Sequence, residues 1–291
     1  MNAVLERQPP SAAIPASDAP RITVLGAGGF VGSALVPHIR GLGLDCVAPV
    51  RGDEQIYRRP LGHVIYTIGL TADFRTRPLD TVEAHVCVLR RLIAEADFES
   101  LTYLSSTRVY VGGADTHEAA SLRVNPNDAS DLYNLSKLTG EALCLHSGRP
   151  GMKVARLSNV VGLRRDADTF IDQLLAEAQN TGRAVMRSAP DGCKDYLALA
   201  DAAALLTRIA TSPANGIFNV ASGEQVSGGT VARLMQQVRG ITVDVAPNAP
   251  LWDFAPINTQ RVHDEFGFKP QAFATHFTAF LQAHGRMKGH P

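Results

Sequence analysis

Two side chains that could move a proton, Tyr133 and Lys137, lie four residues apart in a segment with the pattern of a helix. This spacing places both on one helix face, about one turn apart. A phenol ordinarily has a pKa of about 10, and a neighbouring ammonium group favours the phenolate. An apolar run shortly before the pair ends in the hydroxyl residues Ser105, Ser106 and Thr107. The set therefore predicts a proton-transfer site, the alternative being a solvent-facing Tyr and Lys on an amphipathic helix.

A glycine-rich turn between a strand and a helix opens the ordered part of the chain. The apolar run 22–25 predicts the strand, and a helical pattern extends to about Arg40. Glycines at this turn allow close approach of a phosphate group, and the first amides of the helix would face a pyrophosphate. The residues expected to bind a dinucleotide here are Gly26, Gly29, Phe30, Val31 and Gly32. A βα turn without a ligand is the simpler alternative.

The end of the second predicted strand, 46–50, carries the residues expected to choose between the two nicotinamide dinucleotides. An acidic side chain there would bind the adenosine ribose of NAD, whereas an arginine suits the 2′-phosphate of NADP. Arg51 favours NADP, and Asp53 keeps NAD as the alternative. The next strand, 63–69, follows too soon for a complete βαβ repeat, which needs about thirty residues. Either a strand is missing or the crossover is a loop.

The composition excludes several classes of function. Of 291 residues, 45% are hydrophobic and 19% are charged, which is typical of a soluble chain with one large domain and a smaller lobe. Lys+Arg and Asp+Glu both number 28, so we expect neither a nucleic-acid partner nor an electrostatic membrane anchor. The four cysteines and nine histidines show no metal-ligand spacing, and no apolar run is long enough to span a membrane. These features predict a cytoplasmic protein without a metal site.

Strands and helices alternate along the chain after residue 20. Strands are expected at 22–25, 46–50, 63–69, 103–107, 153–157, 184–186 and 216–223, and helices at 30–40, 79–96, 131–145, 169–180 and from 201 and 226. This order predicts an α/β fold, a doubly wound parallel sheet of the Rossmann type, with a smaller C-terminal substrate lobe. The expected segments are a disordered tail at 1–20, the dinucleotide-binding core at 21–165 with a returning strand and helix at about 194–222, and the substrate lobe at 166–193 and 223–291.

Several motifs together resemble the extended short-chain dehydrogenase/reductase family, the NAD(P)-dependent epimerase/dehydratase group that acts largely on nucleotide sugars. The resemblance covers nearly everything from Arg21 to about Pro270. The motifs are Gly26-x-x-Gly29-x-x-Gly32, Ser105-Ser106-Thr107-Arg108-Val109-Tyr110, Tyr133-x-x-x-Lys137, Arg156-Leu157-Ser158-Asn159-Val160, Lys194-Asp195-Tyr196 and Phe266-Gly267-Phe268-Lys269-Pro270. They are specific for the family and only weakly specific for a substrate.

The resemblance implies a role for each candidate site residue. Tyr133 would be the acid/base at a sugar hydroxyl or ketone. Lys137 would bind the nicotinamide ribose and lower the pKa of that phenol. Ser106, with Thr107 as the fallback, would polarise the same substrate oxygen. The remaining residues implied in binding are Gly69 for the cofactor and Thr107, Asn159 and Lys194 for the substrate.

Some positions depart from the family pattern. Sugar dehydratases of the family carry an Asp-Glu pair directly after the catalytic hydroxyl, whereas this chain has Thr107 and Arg108, so dehydration by that mechanism is not expected. Lys194 stands where an arginine usually grips the diphosphate, and it keeps the charge but loses the bidentate fork. His85 is the nearest match to a usual asparagine, and a packed or surface histidine is the expectation. The short link 51–63 removes the segment that normally contributes adenine contacts.

Three classes of function remain open on the sequence. We expect a hydride-transferring enzyme acting on a nucleotide sugar, in the first instance a ketosugar reductase using NADPH, with an NAD-retaining epimerase as the alternative. A non-catalytic dinucleotide-binding regulatory protein would be expected to lose Tyr133 or Lys137, which this chain retains. Asn159 and Lys194 favour a phosphate-bearing substrate over a non-sugar carbonyl compound.

Two further expectations concern surfaces away from the proton-transfer residues. The family resemblance implies a homodimer through a four-helix interface built from helices 80–96 and 131–147. Trp252 is the only tryptophan of the chain. It could stack on a nucleotide base, but filling the core of the C-terminal lobe is the expectation.

Overall fold

The structure, a computed structural model, describes residues 20–70, 73–163, 169–252 and 254–288. The tail predicted at 1–20, except residue 20, and the domain boundary predicted at 165/166 lie outside the described residues. The strands are β1 (Arg21–Leu25), β2 (Asp45–Val47), β3 (His63–Tyr66), β4 (Ser100–Ser106), β5 (Met152–Leu157), β6 (Asn159–Val161), β7 (Arg183–Met186), β8 (Cys193–Lys194), β9 (Tyr196–Ala198), β10 (Gly216–Val220), β11 (Val226–Ser227) and β12 (Thr242–Val245). The helices are α1 (Phe30–Gly41), α2 (Pro78–Val82), α3 (Val88–Glu95), α4 (Asp131–His146), α5 (Phe170–Glu177), α6 (Leu199–Thr211), α7 (Gly228–Arg239), α8 (Gln260–Phe266) and α9 (Phe273–Lys288). In the described part of the chain, no helix combines the length and apolar character needed to cross a bilayer.

A parallel six-stranded sheet in the order β10-β5-β4-β3-β1-β2 forms the centre of the fold. Its inner strands are nearly continuous runs of buried residues because helices cover both faces. One face packs against α1 and α6 through residues such as Leu35 and Leu206. The other packs against α3 and α4 through residues such as Leu92 and Cys144. The predicted doubly wound parallel sheet is confirmed.

The connection from β2 to β3 explains the short link noted in the sequence. β2 and β3 pair with opposite sides of β1, so the chain crosses over β1 and no further strand lies outside β2 in the described part of the sheet. The connection contains one turn of 3-10 helix, Glu54–Tyr57. Arg91 of α3 donates to both carboxylate oxygens of Glu54, at 3.0 and 2.7 Å. The crossover is therefore a loop held onto α3, and β2 is the edge strand on this side of the sheet.

Several predicted boundaries differ from the structure. β2 ends at Val47 rather than Val50, since Pro49 has no N–H for a sheet hydrogen bond. β3 ends at Tyr66, three residues before the predicted end. The helix predicted at 79–96 is a continuous helical segment from α2 to α3, interrupted by a π-helical turn at Glu83–Cys87. Such a turn accommodates an extra residue and often lies at a functional site.

The C-terminal lobe has a hydrophobic core of its own. This core joins α5, α7 and α9 to the parallel pair β7–β12. Phe273 and Phe277 of α9 stack with ring centroids 4.8 Å apart and are almost completely buried. Two further strand pairs, β6–β9 and β8–β11, join the lobe to the segment that follows β5. They bring Lys194 to the carboxyl edge of the central sheet.

Candidate active site

A cleft of about 420 Å³ lies at the carboxyl ends of the central strands, beneath the C-terminal lobe. Open α/β sheets bind ligands at this edge, because the loops that leave the parallel strands converge there. The cleft is lined by the βα turn after β1, the end of β4, the start of α4, the end of β5 and the β8–β9 segment. The predicted site residues among its lining are Gly29, Phe30, Val31, Gly69, Ser106, Thr107, Tyr133, Lys137, Asn159 and Lys194.

The βα turn has the backbone geometry of a phosphate-binding turn. Gly26 has φ +86°, and a Cβ at Gly32 would lie 2.3 Å from the carbonyl oxygen of Gly26. Gly29 is the N-cap of α1 and provides no side chain to satisfy the first amides of the helix. These amides belong to residues that line the cleft, Phe30 and Val31 among them. The turn therefore fits the pyrophosphate of a dinucleotide.

Tyr133 is buried in the first turn of α4, between the rings of Phe74 and His85. The ring centroids lie 5.3 Å from Phe74 and 5.4 Å from His85. Burial raises the pKa of Tyr133, while a hydrogen bond with Ser106 and the positive charge of Arg108 lower it. The phenol and the Ser106 hydroxyl are thus brought together as predicted, and the cation that acts on the phenol is Arg108.

Lys137 is buried one turn after Tyr133 and points its ammonium group at the main chain. Its Nζ donates a hydrogen bond to the carbonyl oxygen of Leu104 at 2.8 Å. Burial lowers the pKa of Lys137 to about 7, although the charge of Glu141 opposes that shift. A Cβ at Gly69 would lie 3.4 Å from this Nζ. Lys137 and Gly69 therefore border the same corner of the cleft, and the predicted effect of Lys137 on the phenol stays a prediction.

His85 is fully buried and hydrogen-bonded at both ring nitrogens. Its Nε2 accepts from the amide of Leu70 at 3.2 Å, and its Nδ1 lies 2.8 Å from Ser136 Oγ. Because Ser136 Oγ itself donates to the carbonyl oxygen of Tyr133, Nδ1 carries the proton and donates to Ser136. Burial and the charge of Lys137 lower the pKa of His85 to about 3. Of the packed and surface positions expected for His85, the structure shows the packed one, where the ring joins the loop after β3 to α4.

A buried ion pair behind the cleft fixes α4 against β5. Arg156 donates to Glu141 Oε2 at 2.7 Å, and both side chains are almost completely buried. Arg156 also donates to the hydroxyl of Tyr110 at 2.7 Å, and Ser105 donates to Glu141 Oε1 at 2.5 Å. The network holds the end of β4 at a fixed distance from α4. The site residues Ser106 and Tyr133 lie on these two elements.

The predicted substrate residues occupy different parts of the cleft wall. Thr107 is buried, whereas Ser106 is partly accessible. Asn159 is exposed and donates from Nδ2 to the carbonyl oxygen of Asp195 at 2.8 Å. Burial and the nearby charge of Arg108 lower the pKa of Lys194. All four line the cleft, but the amide nitrogen of Asn159 is already used by the main chain.

Two cofactor residues predicted from the second strand lie away from the cleft lining. Arg51 is exposed in the loop after β2. Asp53 accepts from the amide of Gln55 at 2.9 Å and from Arg59 at 2.9 Å. The carboxylate proposed for the ribose of NAD is thus occupied by local contacts. In the described part of the chain, no group of His, Cys, Asp and Glu side chains is arranged to hold a metal ion.

Sequence reasoning misplaced one residue and overlooked another. Trp252 is 48% exposed, so the expectation that it fills the lobe core is wrong; phenylalanines of α9 fill that core. It lines a second pocket of about 180 Å³ that shares Lys194 with the cleft. Arg108 was noticed only as a departure from the dehydratase pattern, yet it lines the cleft beside Tyr133. Its position two residues after Ser106 was the available signal.

Comparisons with known proteins agree with this architecture. The family profile described as "NAD dependent epimerase/dehydratase family" matches residues 22–221. No match was found among curated proteins. Among solved structures, MoeE5 in complex with UDP-glucose and NAD has a TM-score of 0.78 at 18% identity, covering 92% of this chain and 99% of that chain.

Two other solved structures show the same similarity. UDP-glucose 4-epimerase from Thermus thermophilus, in complex with NAD, has a TM-score of 0.72 at 19% identity and covers 92% of this chain and 99% of its own. RMD from Pseudomonas aeruginosa, complexed with NADPH, has a TM-score of 0.72 at 19% identity and covers 93% of this chain and 100% of its own. At these identities, the similarity establishes a shared fold.

Proposed function

The chain belongs to the NAD dependent epimerase/dehydratase family, and we propose that it transfers a hydride between a nicotinamide dinucleotide and a nucleotide-activated sugar. The observation that carries this proposal is the contact of the Tyr133 phenol with the Ser106 hydroxyl, inside a cleft that also contains Lys137 and the phosphate-binding turn. A regulatory dinucleotide-binding protein would not need this arrangement. The three polar groups together favour an enzyme.

In the proposed mechanism, the protein positions the reactants and moves one proton. The bound nicotinamide supplies or accepts the hydride. Tyr133 Oη gives a proton to the substrate oxygen during reduction, or takes one during oxidation, and Ser106 Oγ donates a hydrogen bond to the same oxygen. Lys137 binds the nicotinamide ribose near Gly69. The rings of Phe74 and His85 keep water away from the phenol.

Simple reduction fits the side chains of the cleft better than water elimination. Elimination from a sugar needs a further acid/base group, and Thr107 and Arg108 follow the hydroxyl of Ser106. Asp195 also lines the cleft, but its carboxylate accepts from the amide and hydroxyl of Ser222 and from the amide of Gly223, at 2.6–3.0 Å. Burial raises the pKa of Asp195 although these hydrogen bonds oppose that shift, but both carboxylate oxygens are already occupied by the loop after β10. We therefore favour a ketosugar reductase.

NADP is the cofactor that we propose for this reductase. Asp53 is occupied by Gln55 and Arg59, whereas Arg51 is exposed in the same loop and has no acidic partner within the described residues. A free guanidinium suits a 2′-phosphate. An epimerase with tightly bound NAD remains the second candidate, because Tyr133 and Ser106 would serve oxidation and re-reduction of one carbon equally well.

The second pocket is the proposed site of the nucleoside. Lys194 lies between this pocket and the cleft, with Nζ 5.1 Å from the centroid of Phe170. A diphosphate bound at Lys194 would extend toward Tyr133 with its sugar and toward Trp252 with its base. The half-exposed Trp252 would then stack on the base.

The first experiment compares Tyr133→Phe with Tyr57→Phe, a conservative change on the β2–β3 link outside the cleft. We expect Tyr133→Phe to reduce turnover of a nucleotide sugar by at least about 100-fold, with cofactor binding retained, and Tyr57→Phe to keep normal turnover. If Tyr133→Phe kept most of the activity, the acid/base assignment would be wrong. Mass analysis of nucleotide released on denaturation distinguishes the candidates, since stoichiometric NAD indicates the epimerase.

A further inference from the structure

Arg108 lies in the wall of the cleft at the place where the substrate oxygen is expected. It belongs to the 3-10 turn Thr107–Tyr110 directly after β4. Its main-chain amide donates to Ser106 Oγ at 3.2 Å, so its position is tied to that hydroxyl. Its Cζ lies 5.8 Å from the ring centroid of Phe74, which also packs against Tyr133. The guanidinium is therefore a neighbour of the phenol.

Apart from its position over the Phe74 ring, the guanidinium of Arg108 has no hydrogen-bond or ion-pair partner among the described residues. Its side chain makes no ion pair or hydrogen bond there, and its Nε is shielded from solvent without any acceptor. By contrast, the buried Arg156 is fully engaged by Glu141 and Tyr110. A shielded donor without an acceptor is costly. Among the described residues, nothing accepts a hydrogen bond from this guanidinium, so an acceptor group on a ligand in the cleft would satisfy it.

The charges around Arg108 leave this corner of the cleft positive. Asp131 accepts from Asn125 and Asn134, and Asp128 accepts from Ser130, so these carboxylates are used elsewhere. Burial and the like charge of Arg75 lower the pKa of Arg108, although Tyr133, Asp131 and Asp128 oppose that shift. Burial and the charge of Arg108 in turn lower the pKa of Lys194. The cleft therefore contains at least two positive charges without a paired carboxylate among the described side chains. An anionic substrate would supply the missing charge.

We propose that Arg108 binds a carboxylate on the sugar itself, so that the substrate is a nucleotide-activated uronic acid. This inference rests on the proposed function. The diphosphate cannot be the partner of Arg108, because a carbon must lie at Tyr133 for hydride transfer, and Lys194 lies toward the nucleoside pocket. The anion beside Tyr133 must then belong to the reacting sugar. A planar guanidinium matches a planar carboxylate through two parallel hydrogen bonds.

The test measures binding of UDP-glucuronic acid and UDP-glucose to the protein saturated with oxidised cofactor, by calorimetry. We expect the wild type to bind UDP-glucuronic acid about 10- to 100-fold more tightly. Arg108→Gln should abolish this preference while changing the affinity for UDP-glucose less than about three-fold, and Arg108→Lys should retain part of it. The exposed Arg286→Gln serves as the charge-matched control and should leave both affinities unchanged.

Equal affinity of the wild type for the two sugars would overturn the carboxylate assignment and leave the proposed function standing. An equal loss for both sugars in Arg108→Gln would also overturn it, because that pattern indicates a diphosphate contact. If the cofactor-loaded protein bound neither sugar, UDP sugars would be excluded as its ligands, and the assignment of Arg108 to the carboxylate of UDP-glucuronic acid would be overturned. The wild-type comparison needs no substitution, so poor folding of a variant would not prevent a decision.

Discussion

Burial sets the protonation of the site residues before any ligand binds. It raises the pKa of Tyr133 and lowers the pKa of Lys137 to about 7 and that of His85 to about 3. His85 is therefore neutral at ordinary pH, and Lys137 is only partly protonated near neutrality. Burial has the largest effect on the phenol, and the hydrogen bond with Ser106 and the charge of Arg108 oppose it. Because these groups act on one another, each test of a single residue needs a control that leaves its neighbours unchanged.

The buried His85 predicts a loss of stability in mild acid. Its pKa is about 3 in the folded protein and 6.5 when unfolded, so the unfolded chain binds more protons between these values. Stability is therefore lost as pH falls below about 6.5. This group alone should remove about 2 kcal/mol between pH 7 and pH 5. His85→Asn should lose less stability over that interval, as measured by urea unfolding at both values.

The matched control for this measurement is His263→Asn, which replaces an exposed histidine. It should show the same pH dependence as the wild type. An unchanged pH dependence in His85→Asn would mean that the ring is not held neutral by burial.

Arg51 predicts the cofactor preference. Arg51→Ala should lower kcat/KM for NADPH by about ten-fold and leave that for NADH nearly unchanged, because only NADPH carries the 2′-phosphate. Arg58→Ala removes the same charge from the same loop and should change the ratio less. Steady-state kinetics with both cofactors gives the result. If the ratio did not move in Arg51→Ala, the assignment of the 2′-phosphate to this residue would be refuted.

At the scale of elements, the turn between β1 and α1 depends on close backbone packing. The carbonyl oxygen of Gly26 lies where the side chain of any other residue at position 32 would begin. The helix can therefore approach the strand closely only with glycine at this position. On the opposite face of the sheet, the π-helical turn between α2 and α3 contains His85, whose side chain is fully buried.

Gly32→Ala tests this packing against Gly28→Ala in the same turn. A Cβ at position 32 would lie 2.3 Å from a backbone oxygen that cannot move freely, whereas a Cβ at position 28 meets nothing within 4 Å. We expect Gly32→Ala to lose about 2 kcal/mol or more of unfolding free energy and to bind cofactor poorly. Gly28→Ala should stay within about 0.5 kcal/mol of the wild type. Similar losses in both variants would contradict the packing argument.

At the scale of the whole molecule, the site depends on contacts between the sheet and both neighbouring layers. The Glu141–Arg156 pair joins α4 to β5, and Asp195 joins the β8–β9 segment to the loop after β10. Removing one partner of such a buried pair leaves an uncompensated charge. The helical segment from α2 to α3, together with α4, also presents apolar side chains at the surface, including Leu79, 84% exposed, and Leu145, 41% exposed.

The homodimer expected through these helices can be tested by measuring the molecular mass by sedimentation at micromolar concentration. The wild type should sediment as a dimer, and the double variant Leu79→Lys/Leu145→Lys should shift toward the monomer, because two lysines on each copy would enter an apolar interface. Leu42→Lys replaces an exposed leucine just after α1 and should remain dimeric. A wild type that stayed monomeric would exclude this interface.

The chain's local patterns predicted much of the fold. Buried strands are apolar runs, helices show their period, and the order of both kinds of element indicates a parallel sheet. The predicted ends of β2 and β3 were wrong, because a proline and the end of a sheet pairing stop these strands early. The glycine turn and the Tyr133–Lys137 pair were also predictable, since each depends on residues within one turn.

Sequence alone therefore determined the order of the elements, the βα turn and the helix face that carries Tyr133 and Lys137, because these follow from backbone geometry over a few residues. Tertiary structure decided which distant side chains meet them. His85 bonds Ser136 across 51 positions, and the Arg108 guanidinium lies 5.8 Å from the ring centroid of Phe74, which belongs to a different part of the chain. Such neighbours are set by how layers pack and not by local spacing. The Arg108 charge without a carboxylate partner among the described side chains, and the exposure of Trp252, follow from that packing.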